Sequence, residues 1–259
     1  MRKSWFKVFG AVFITVSISF CFCLNLYGAE EKLPNAEEII EKNLKAIGGR
    51  DAYEKIRNQK TEMTAKMITM GMNIKVTTYK ERPDKNYTIA DMGAMGKSRS
   101  GSNGKIAWEI NPFTGTRILE GEQLAAKLLE NSFDGPDTWK KMYKSVKAEG
   151  IEDINGKACY KVVYTQNTGS PITKYYDRDS YLDVKTVSEG KNPQGTIKVE
   201  QFFEDYKETG GVLFPRKVNV NIMENPFQTI TIDSIETNIK MPKGTFDLPE
   251  EIKTLIKKE

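Results

Sequence analysis

The chain has 259 residues, a formal net charge of +4 at pH 7 and no histidine. The lack of histidine excludes Ser-His-Asp and Cys-His catalysis, as well as zinc sites with imidazole ligands. Chemistry that uses only carboxylates, as in glycoside hydrolysis, stays open, although no pair among the 35 acidic residues stands out. The composition therefore favours a binding protein over an enzyme, and we expect neither a cofactor nor a metal.

The N-terminal segment 1–29 has the layout of a secretory signal peptide. Three basic residues, Arg2, Lys3 and Lys7, precede an almost wholly apolar run over 8–26, and Tyr27-Gly28-Ala29 offers a cleavage site. A retained membrane anchor is the alternative, because the run is just long enough to span a bilayer. A lipid-modified cysteine is less favoured, since a bulky phenylalanine precedes each cysteine of this segment. We expect cleavage and a periplasmic protein.

Residues 30–259 are expected to form one domain and a monomer. The leader carries three of the 39 basic residues and no acidic residue, so its loss leaves a net charge near zero. Such a charge gives no reason to expect a nucleic acid or an anionic membrane surface as a partner. Two of the three cysteines leave with the leader, so Cys159 can form no internal disulfide and is expected to be a small buried thiol.

The segment 30–57 predicts an amphipathic helix that covers a sheet. Asn35 is a candidate N-cap, Gly48-Gly49 is a stop signal, and Asp51 is a candidate cap for a short second turn. The apolar residues at helical spacing are Ile39, Ile40, Leu44 and Ile47.

From residue 60 onward the apolar period changes to two, which is the period of β-strands. A slip of phase near Met70-Gly71 predicts a hairpin or a bulge. About ten or eleven short strands, with turn signals between them, argue for a barrel or a strongly curved sheet. Six of the ten methionines lie between Met63 and Met95, which suits a surface for flexible apolar ligands or, equally, a core that uses methionine.

Two Asn-Gly pairs, at 103–104 and 155–156, predict tight hairpin turns with positive φ at both residues. The glycine- and serine-rich segment 93–104 is expected to be a flexible connection into the first of these turns. After that turn Ile106, Trp108 and Ile110 alternate with Ala107 and Glu109, so we expect Trp108 to point toward the concave side of the sheet.

The pattern becomes helical again between residues 121 and 146. Leu124 and Leu128 belong to an apolar stripe, and Asp137 is a candidate N-cap for a second helix with Trp139, Met142 and Tyr143. A curved sheet with an apolar concave face needs a cover, and two helices on an irregular hinge provide one that can open.

Three ordered motifs resemble the LolA family of periplasmic lipoprotein carriers. Residues 102–113 read S-N-G-K-I-A-W-E-I-N-P-F and resemble the family stretch S-D-G-K-x-x-W-x-x-N-P-F. Upstream, Lys80 with Arg82-Pro83 is similar to the family's K-R-P, and residues 245–249 (T-F-D-L-P) are similar to its closing F-x-x-P. The leading helix, the greater length and Glu81 beside Arg82 favour a broader relative, of the kind called outer-membrane lipoprotein-sorting proteins.

This resemblance implies a mainly β (α+β) fold: an unclosed half-barrel of about eleven antiparallel strands, covered by lid helices and an N-terminal helix. The concave face would hold acyl chains of lipoproteins or other lipids, with an inner-membrane exporter and an outer-membrane acceptor as possible partners. In the family the arginine that matches Arg82 points into the barrel and ties the lid through hydrogen bonds. The expected ligand-binding residues are Met63, Met67, Met72, Arg82, Tyr87, Ile106, Trp108, Leu124 and Leu128.

Two functions from different classes follow. The leading one is a periplasmic carrier that binds acyl chains or other lipids for transfer toward the outer membrane. The alternative is an envelope sensor or scaffold that binds a protein partner through the same concave face.

Overall fold

The computed structural model describes residues 32–131, 138–166, 170–192 and 195–257. The expected signal peptide over 1–29 lies outside these residues, and so does Asp137, the expected N-cap of the second lid helix. Among the helices described, none combines the length and the apolar character that a membrane span requires. The elements below belong to one unit that begins at Leu33.

In the described part of the chain, thirteen strands form one antiparallel sheet, and five α-helices accompany it. The strands are β1 Asn58–Met67, β2 Met72–Glu81, β3 Lys85–Asp91, β4 Lys97–Asn103, β5 Ala107–Asn111, β6 Gly115–Leu119, β7 Tyr143–Ile154, β8 Lys157–Gln166, β9 Ile172–Asp177, β10 Asp183–Asn192, β11 Gly195–Thr209, β12 Val212–Ile222 and β13 Asn225–Thr237. The helices are α1 Ala36–Ala46, α2 Gly49–Lys55, α3 Gly121–Asn131, α4 Thr138–Met142 and α5 Glu250–Ile256.

The strand order is β6-β5-β4-β3-β2-β1-β13-β12-β11-β10-β9-β8-β7, so the sheet is open. The chain starts in the middle of the sheet at β1, runs out to the edge strand β6, and crosses through α3 and α4 to the other edge strand, β7. It then returns strand by strand until β13 pairs with β1. This arrangement confirms the expected open half-barrel, with helices between its two edges.

Helices α1, α2 and α3 pack on one face of the sheet, which we call the inner face. Ile39 and Ile40 of α1 are buried against Val162 of β8, and Tyr53 of α2 packs near Val212 of β12. The opposite, outer face carries a cluster around the buried Cys159, which confirms the expected buried thiol. Because both faces are covered in places, many strand positions of either parity are buried.

The N-terminal helical region divides as its caps predict. The side chain of Asn35 accepts a hydrogen bond from the Glu38 amide at 2.8 Å, which confirms the N-cap of α1. The first helix ends before Gly48, which adopts φ +120° and is the N-cap of α2. Asp51 lies within the first turn of α2 and is not its cap.

One expected loop segment is a strand in the structure. Residues 97–103 form β4 between β3 and β5, where the sequence predicted a flexible segment. Position 101 requires a glycine, because a Cβ there would lie 2.9 Å from the Trp108 ring. With β6, which was not predicted, β4 raises the number of strands from about eleven to thirteen.

The two Asn-Gly turns have different geometries. Asn155 and Gly156 both have positive φ, 55° and 82°, and join β7 to β8, as predicted. At 103–104 only Gly104 has positive φ. The Asn103 side chain instead accepts hydrogen bonds from the Lys105 and Ile106 amides at 3.0 and 2.9 Å, so the predicted turn type is wrong there.

Candidate ligand-binding site

A cavity of about 580 Å³ lies on the inner face of the sheet, where β1–β4, β12 and β13 meet helices α2 and α3. Its volume falls within the range of roughly 300–1,000 Å³ that is usual for small-molecule sites. The lining residues are Tyr53, Gln59, Thr61, Met63, Thr78, Lys80, Asn86, Thr88, Ser100, Lys127, Phe214, Pro215, Ile232 and Ile235.

One wall of this cavity is apolar. Ile232 and Ile235 come from β13, and Met63 of β1 pairs directly with Ile232. Phe214 and Pro215 extend the apolar wall onto β12. This wall offers a hydrocarbon chain a continuous surface across three neighbouring strands.

The other wall is polar, because strand register aligns hydroxyl groups across it. Thr61 of β1 pairs with Thr78 of β2, Thr78 pairs with Thr88 of β3, and Thr88 pairs with Ser100 of β4. Directly paired residues project on the same face, so these four residues form one row, which we call the hydroxyl row. The Oγ1 atoms of Thr78 and Thr88 are 3.2 Å apart and form a hydrogen bond.

A second polar row runs beside the first. It contains Gln59, Lys80 and Asn86, which are paired across β1, β2 and β3. Asn86 is only 4% exposed, and its Oδ1 atom has no hydrogen-bond partner in the described part of the chain. A buried amide oxygen without a partner costs free energy, so a donor from a bound molecule or a water would stabilise this position.

The two charged side chains among the described lining residues of the cavity are both basic. Lys80 of β2 and Lys127 of α3 line it, while the described lining residues include no aspartate or glutamate. A second hollow, of about 610 Å³ over β11–β13, has charges of both signs, with Asp205 and Asp233 near Lys207 and Lys217. The inner-face cavity, unlike this second hollow, has lining residues from helices, Tyr53 of α2 and Lys127 of α3.

Arg82 follows β2 at the end of the sheet that α2 covers. Its Nε donates to the Ile56 carbonyl at 2.7 Å, and a terminal nitrogen donates to the Tyr53 carbonyl at 2.9 Å. Its guanidinium also lies 5.3 Å from the centre of the Tyr53 ring. The fork therefore ties backbone carbonyls of α2 and its C-cap. A role in holding α3 and α4 stays a prediction.

The other expected binding residues lie in three places. Met63 lines the cavity. Met67 and Met72 are paired with each other on the same face as Met63. They lie nearer to the β1–β2 turn, and the Ala65–Ile74 pair separates them from Met63. Leu124 and Leu128 are half-buried on α3, the helix that contributes Lys127. Ile106 lies in the β4–β5 loop, outside either strand.

Tyr87 and Trp108 lie on the outer face, so the expected inward direction of Trp108 is wrong. Tyr87 pairs with Tyr79 and Gly101, and Gly101 pairs with Trp108. All four residues project from the face of the sheet opposite to that of Thr78. The Tyr87 and Trp108 ring centres are 5.9 Å apart, and Tyr87 also borders the C-terminal segment 242–250. These aromatic rings form part of the structural core of the outer face.

Sequence reasoning missed the polar wall. Thr78, Thr88, Ser100 and Asn86 are unremarkable along the chain, and they come together only through the pairing of four strands. The alternation of Lys80 and Thr78 with their neighbours was the available signal, but it needed the register of β3 and β4 to become a site.

Apolar side chains are exposed at the hairpin ends at one end of the sheet. The β1–β2 and β12–β13 turns are neighbours, because Met67 pairs with Met72 on one side and with Gln228 on the other. The β3–β4 and β5–β6 turns are also neighbours, since a Cβ at Gly96 would lie 3.7 Å from Pro112. The exposed side chains, each between 42% and 67% exposed, are Ile68, Met70, Met95, Phe113 and Met223. We call this set the apolar rim. It lies beyond the Met67–Met72 pair, at the end of the inner face opposite α2.

Solved structures share this fold. A DUF1329 family protein from Desulfovibrio piger matches with a TM-score of 0.58 and 14% identity, over 82% of this chain and 96% of that one. A LolA superfamily protein from Nitrosomonas europaea matches with a TM-score of 0.56 and 11% identity, over 83% and 98%. An outer membrane lipoprotein-sorting protein domain from Vibrio parahaemolyticus matches with a TM-score of 0.54 and 12% identity, over 85% and 97%.

The expected resemblance to the LolA superfamily is thus confirmed at the level of the fold. No protein-family model matches the sequence, and neither does any curated protein.

Proposed function

We propose that this protein is a periplasmic lipid-binding carrier, which takes an acyl chain into the inner-face cavity and delivers it to a membrane or to an acceptor protein. The observation that carries this proposal is the cavity itself: about 580 Å³ beneath α2 and α3, with an apolar wall on β1, β12 and β13. The shared fold with a LolA superfamily protein and a lipoprotein-sorting domain supports it.

The apolar rim supports the transfer step. Exposed Met70 and Phe113 stand at the end of the sheet where the paired Met67 and Met72 continue the apolar part of the inner face. A rim of this kind can contact the hydrocarbon boundary of a bilayer or the apolar surface of an acceptor. A chain that leaves the cavity along β1 and β2 would reach this rim without crossing the polar wall.

Binding is tested with delipidated protein and a fluorescent acyl probe. Replacing Met63 by Asn removes an apolar contact that contributes about 2 kcal/mol to binding, so we expect about thirtyfold weaker binding. Trp108→Phe, on the outer face, is the matched control and should change the affinity by less than about twofold. Native mass spectrometry of the protein as purified gives the second measurement. A protein that carries no lipid and binds no probe would refute carriage and favour the scaffold alternative.

Transfer is tested separately from binding. We expect the double variant Met70→Ser, Phe113→Ser to bind the probe as the parent does but to deliver it to acceptor vesicles at least about fivefold more slowly. Ile151→Ser is the control, because Ile151 is exposed to a similar degree, 46%, on the edge strand β7 and away from the rim. Equal transfer rates for the rim variant and the control would refute the role of the rim.

A further inference from the structure

We propose that the inner-face cavity is specific for single-chain amphiphiles with an anionic head, with the chain along the apolar wall and the head against the polar wall. This inference rests on the proposed lipid-binding function and narrows it to a ligand class. The same head chemistry occurs as the carboxylate of a fatty acid and as the phosphate of a lysophospholipid.

The two walls require a ligand with two chemically different flanks. A purely apolar chain would leave the hydroxyl row and Asn86 facing hydrocarbon, and each polar group buried without a partner costs about 1–3 kcal/mol. A polar solute without a chain would leave Met63, Phe214 and Ile232 in contact with water. Only an amphiphile pairs both walls at once.

The hydrogen-bonding groups suit a head with several oxygen atoms. Three threonines and one serine in a row offer hydroxyl donors at the spacing of neighbouring strands, roughly 5 Å. The Asn86 Oδ1, which lacks a partner in the described chain, can accept a hydrogen bond from a hydroxyl of the head or from a bridging water. Because hydroxyls also accept, the row alone does not select the charge of the head.

The charge of the cavity makes that selection. Lys80 of β2 is the central residue of the second polar row, and Lys127 of α3 also lines the cavity. Together with the absence of carboxylates among the described lining residues, these ammonium groups favour an anion over a neutral or cationic head. The guanidinium of Arg82, bound to the carbonyl of the lining residue Tyr53, adds a further positive charge at the same end.

The volume favours one chain over several. A water molecule occupies roughly 30 Å³, and a methylene group is of comparable size, so about 580 Å³ holds roughly twenty non-hydrogen atoms. That is close to one long acyl chain with a small head. Three chains of that length would need about three times the space.

Two ligands that differ in one phosphate test the charge. Palmitoyl lysophosphatidic acid and monopalmitoylglycerol share the chain and the glycerol, and each is titrated against a bound fluorescent acyl probe. We expect the phosphate form to displace the probe at a concentration at least about tenfold lower, and palmitate to behave like the phosphate form. If only one of the two anions shows the preference, it identifies the head as phosphate or carboxylate.

Variants then place the head. Lys80→Gln should reduce the preference for the phosphate form at least about threefold and leave monopalmitoylglycerol unchanged. Lys75→Gln, on the outer face of the same strand, should leave both affinities as they are. Thr78→Val with Thr77→Val as its outer-face control repeats the comparison without changing charge, should Lys80→Gln fail to fold.

The outcomes separate the two proposals. Equal affinity for the phosphate and neutral ligands overturns the anionic head and leaves the carrier intact. A preference that survives both Lys80→Gln and Thr78→Val overturns the placement of the head at the polar wall. Failure of all three single-chain ligands, while a triacylated lipopeptide binds, overturns the single-chain class. Failure of every lipid overturns the carrier and the inference together.

Discussion

Removing the Arg82 fork should loosen helix α2 and lower the stability of the whole protein. Arg82 is half-buried and donates to two backbone carbonyls, those of Ile56 and Tyr53, at 2.7 and 2.9 Å. The Ile56 carbonyl belongs to the C-cap of α2, and the Tyr53 carbonyl, in the last turn, also accepts a hydrogen bond from the Ile56 amide at 3.2 Å. Arg82→Leu keeps the aliphatic bulk but leaves both oxygens without this donor.

The size of the effect follows from the two hydrogen bonds. A hydrogen bond to a charged group contributes about 1.5–3 kcal/mol, and partial exposure of the side chain places the pair near the lower end, so we expect a loss of about 3 kcal/mol. For a chain of this size 1 kcal/mol changes Tm by roughly 2–4 °C, which gives a decrease of about 6–12 °C. Arg82→Lys keeps the charge but not the fork, so its Tm should lie between those of the parent and Arg82→Leu.

Thermal unfolding by circular dichroism measures the decrease, and hydrogen exchange of the 49–56 amides reports whether α2 opens first. Arg117→Leu is the matched control. Its guanidinium also donates two hydrogen bonds, both to Glu109, but the pair is exposed at the sheet edge and should contribute less than about 1 kcal/mol. The reasoning is refuted if Arg82→Leu melts within about 2 °C of the parent or no lower than Arg117→Leu.

Two further predictions concern backbone and pH. In urea titrations, Gly48→Ala should destabilise the protein several times more than Gly49→Ala. Both sites have positive φ, but only a Cβ at Gly48 would meet the Gly211 carbonyl, at 2.1 Å. Equal losses of stability in the two variants would contradict this. Burial raises the pKa of the Cys159 thiol to about 11, so above about pH 9 the unfolded chain releases a proton that the folded protein retains. Stability should therefore fall as the pH rises from 9 to 11, and Cys159→Ala should fall less steeply; parallel curves would contradict the assignment.

Local signals predicted the local structure. The Asn35 cap, the break at Gly48 and the Asn155-Gly156 turn each depend on a few neighbouring residues, and each is found. Strand β4 was missed because its sequence, K-S-R-S-G-S-N, has no apolar alternation. It becomes a strand because β3 and β5 on either side satisfy its backbone hydrogen bonds, a cause that lies outside the segment.

The site was harder to predict for a related reason. Alternation shows which residues share a face but not which face is inner, and at β5 neither side is open to water. Ala107 is fully buried on the inner face and Trp108 is 3% exposed on the outer face, so the larger residue indicated the wrong side. The hydroxyl row needed the registers of four strands. Met63 lines the cavity, and its role in binding stays a prediction.

The pairing of the first strand with the last determines when the protein can fold. Ser234 of β13 donates a hydrogen bond to Glu62 of β1, 172 residues earlier in the chain. Until β13 has been synthesised, β1 is an unprotected edge of a six-stranded half-sheet, and its Met63, Ala65 and Met67 lack their neighbours. An exposed apolar edge of this kind is prone to pair with other chains. A chain that ends before residue 225 would therefore form two separate half-sheets, whereas loss of an outer strand would only make the sheet narrower.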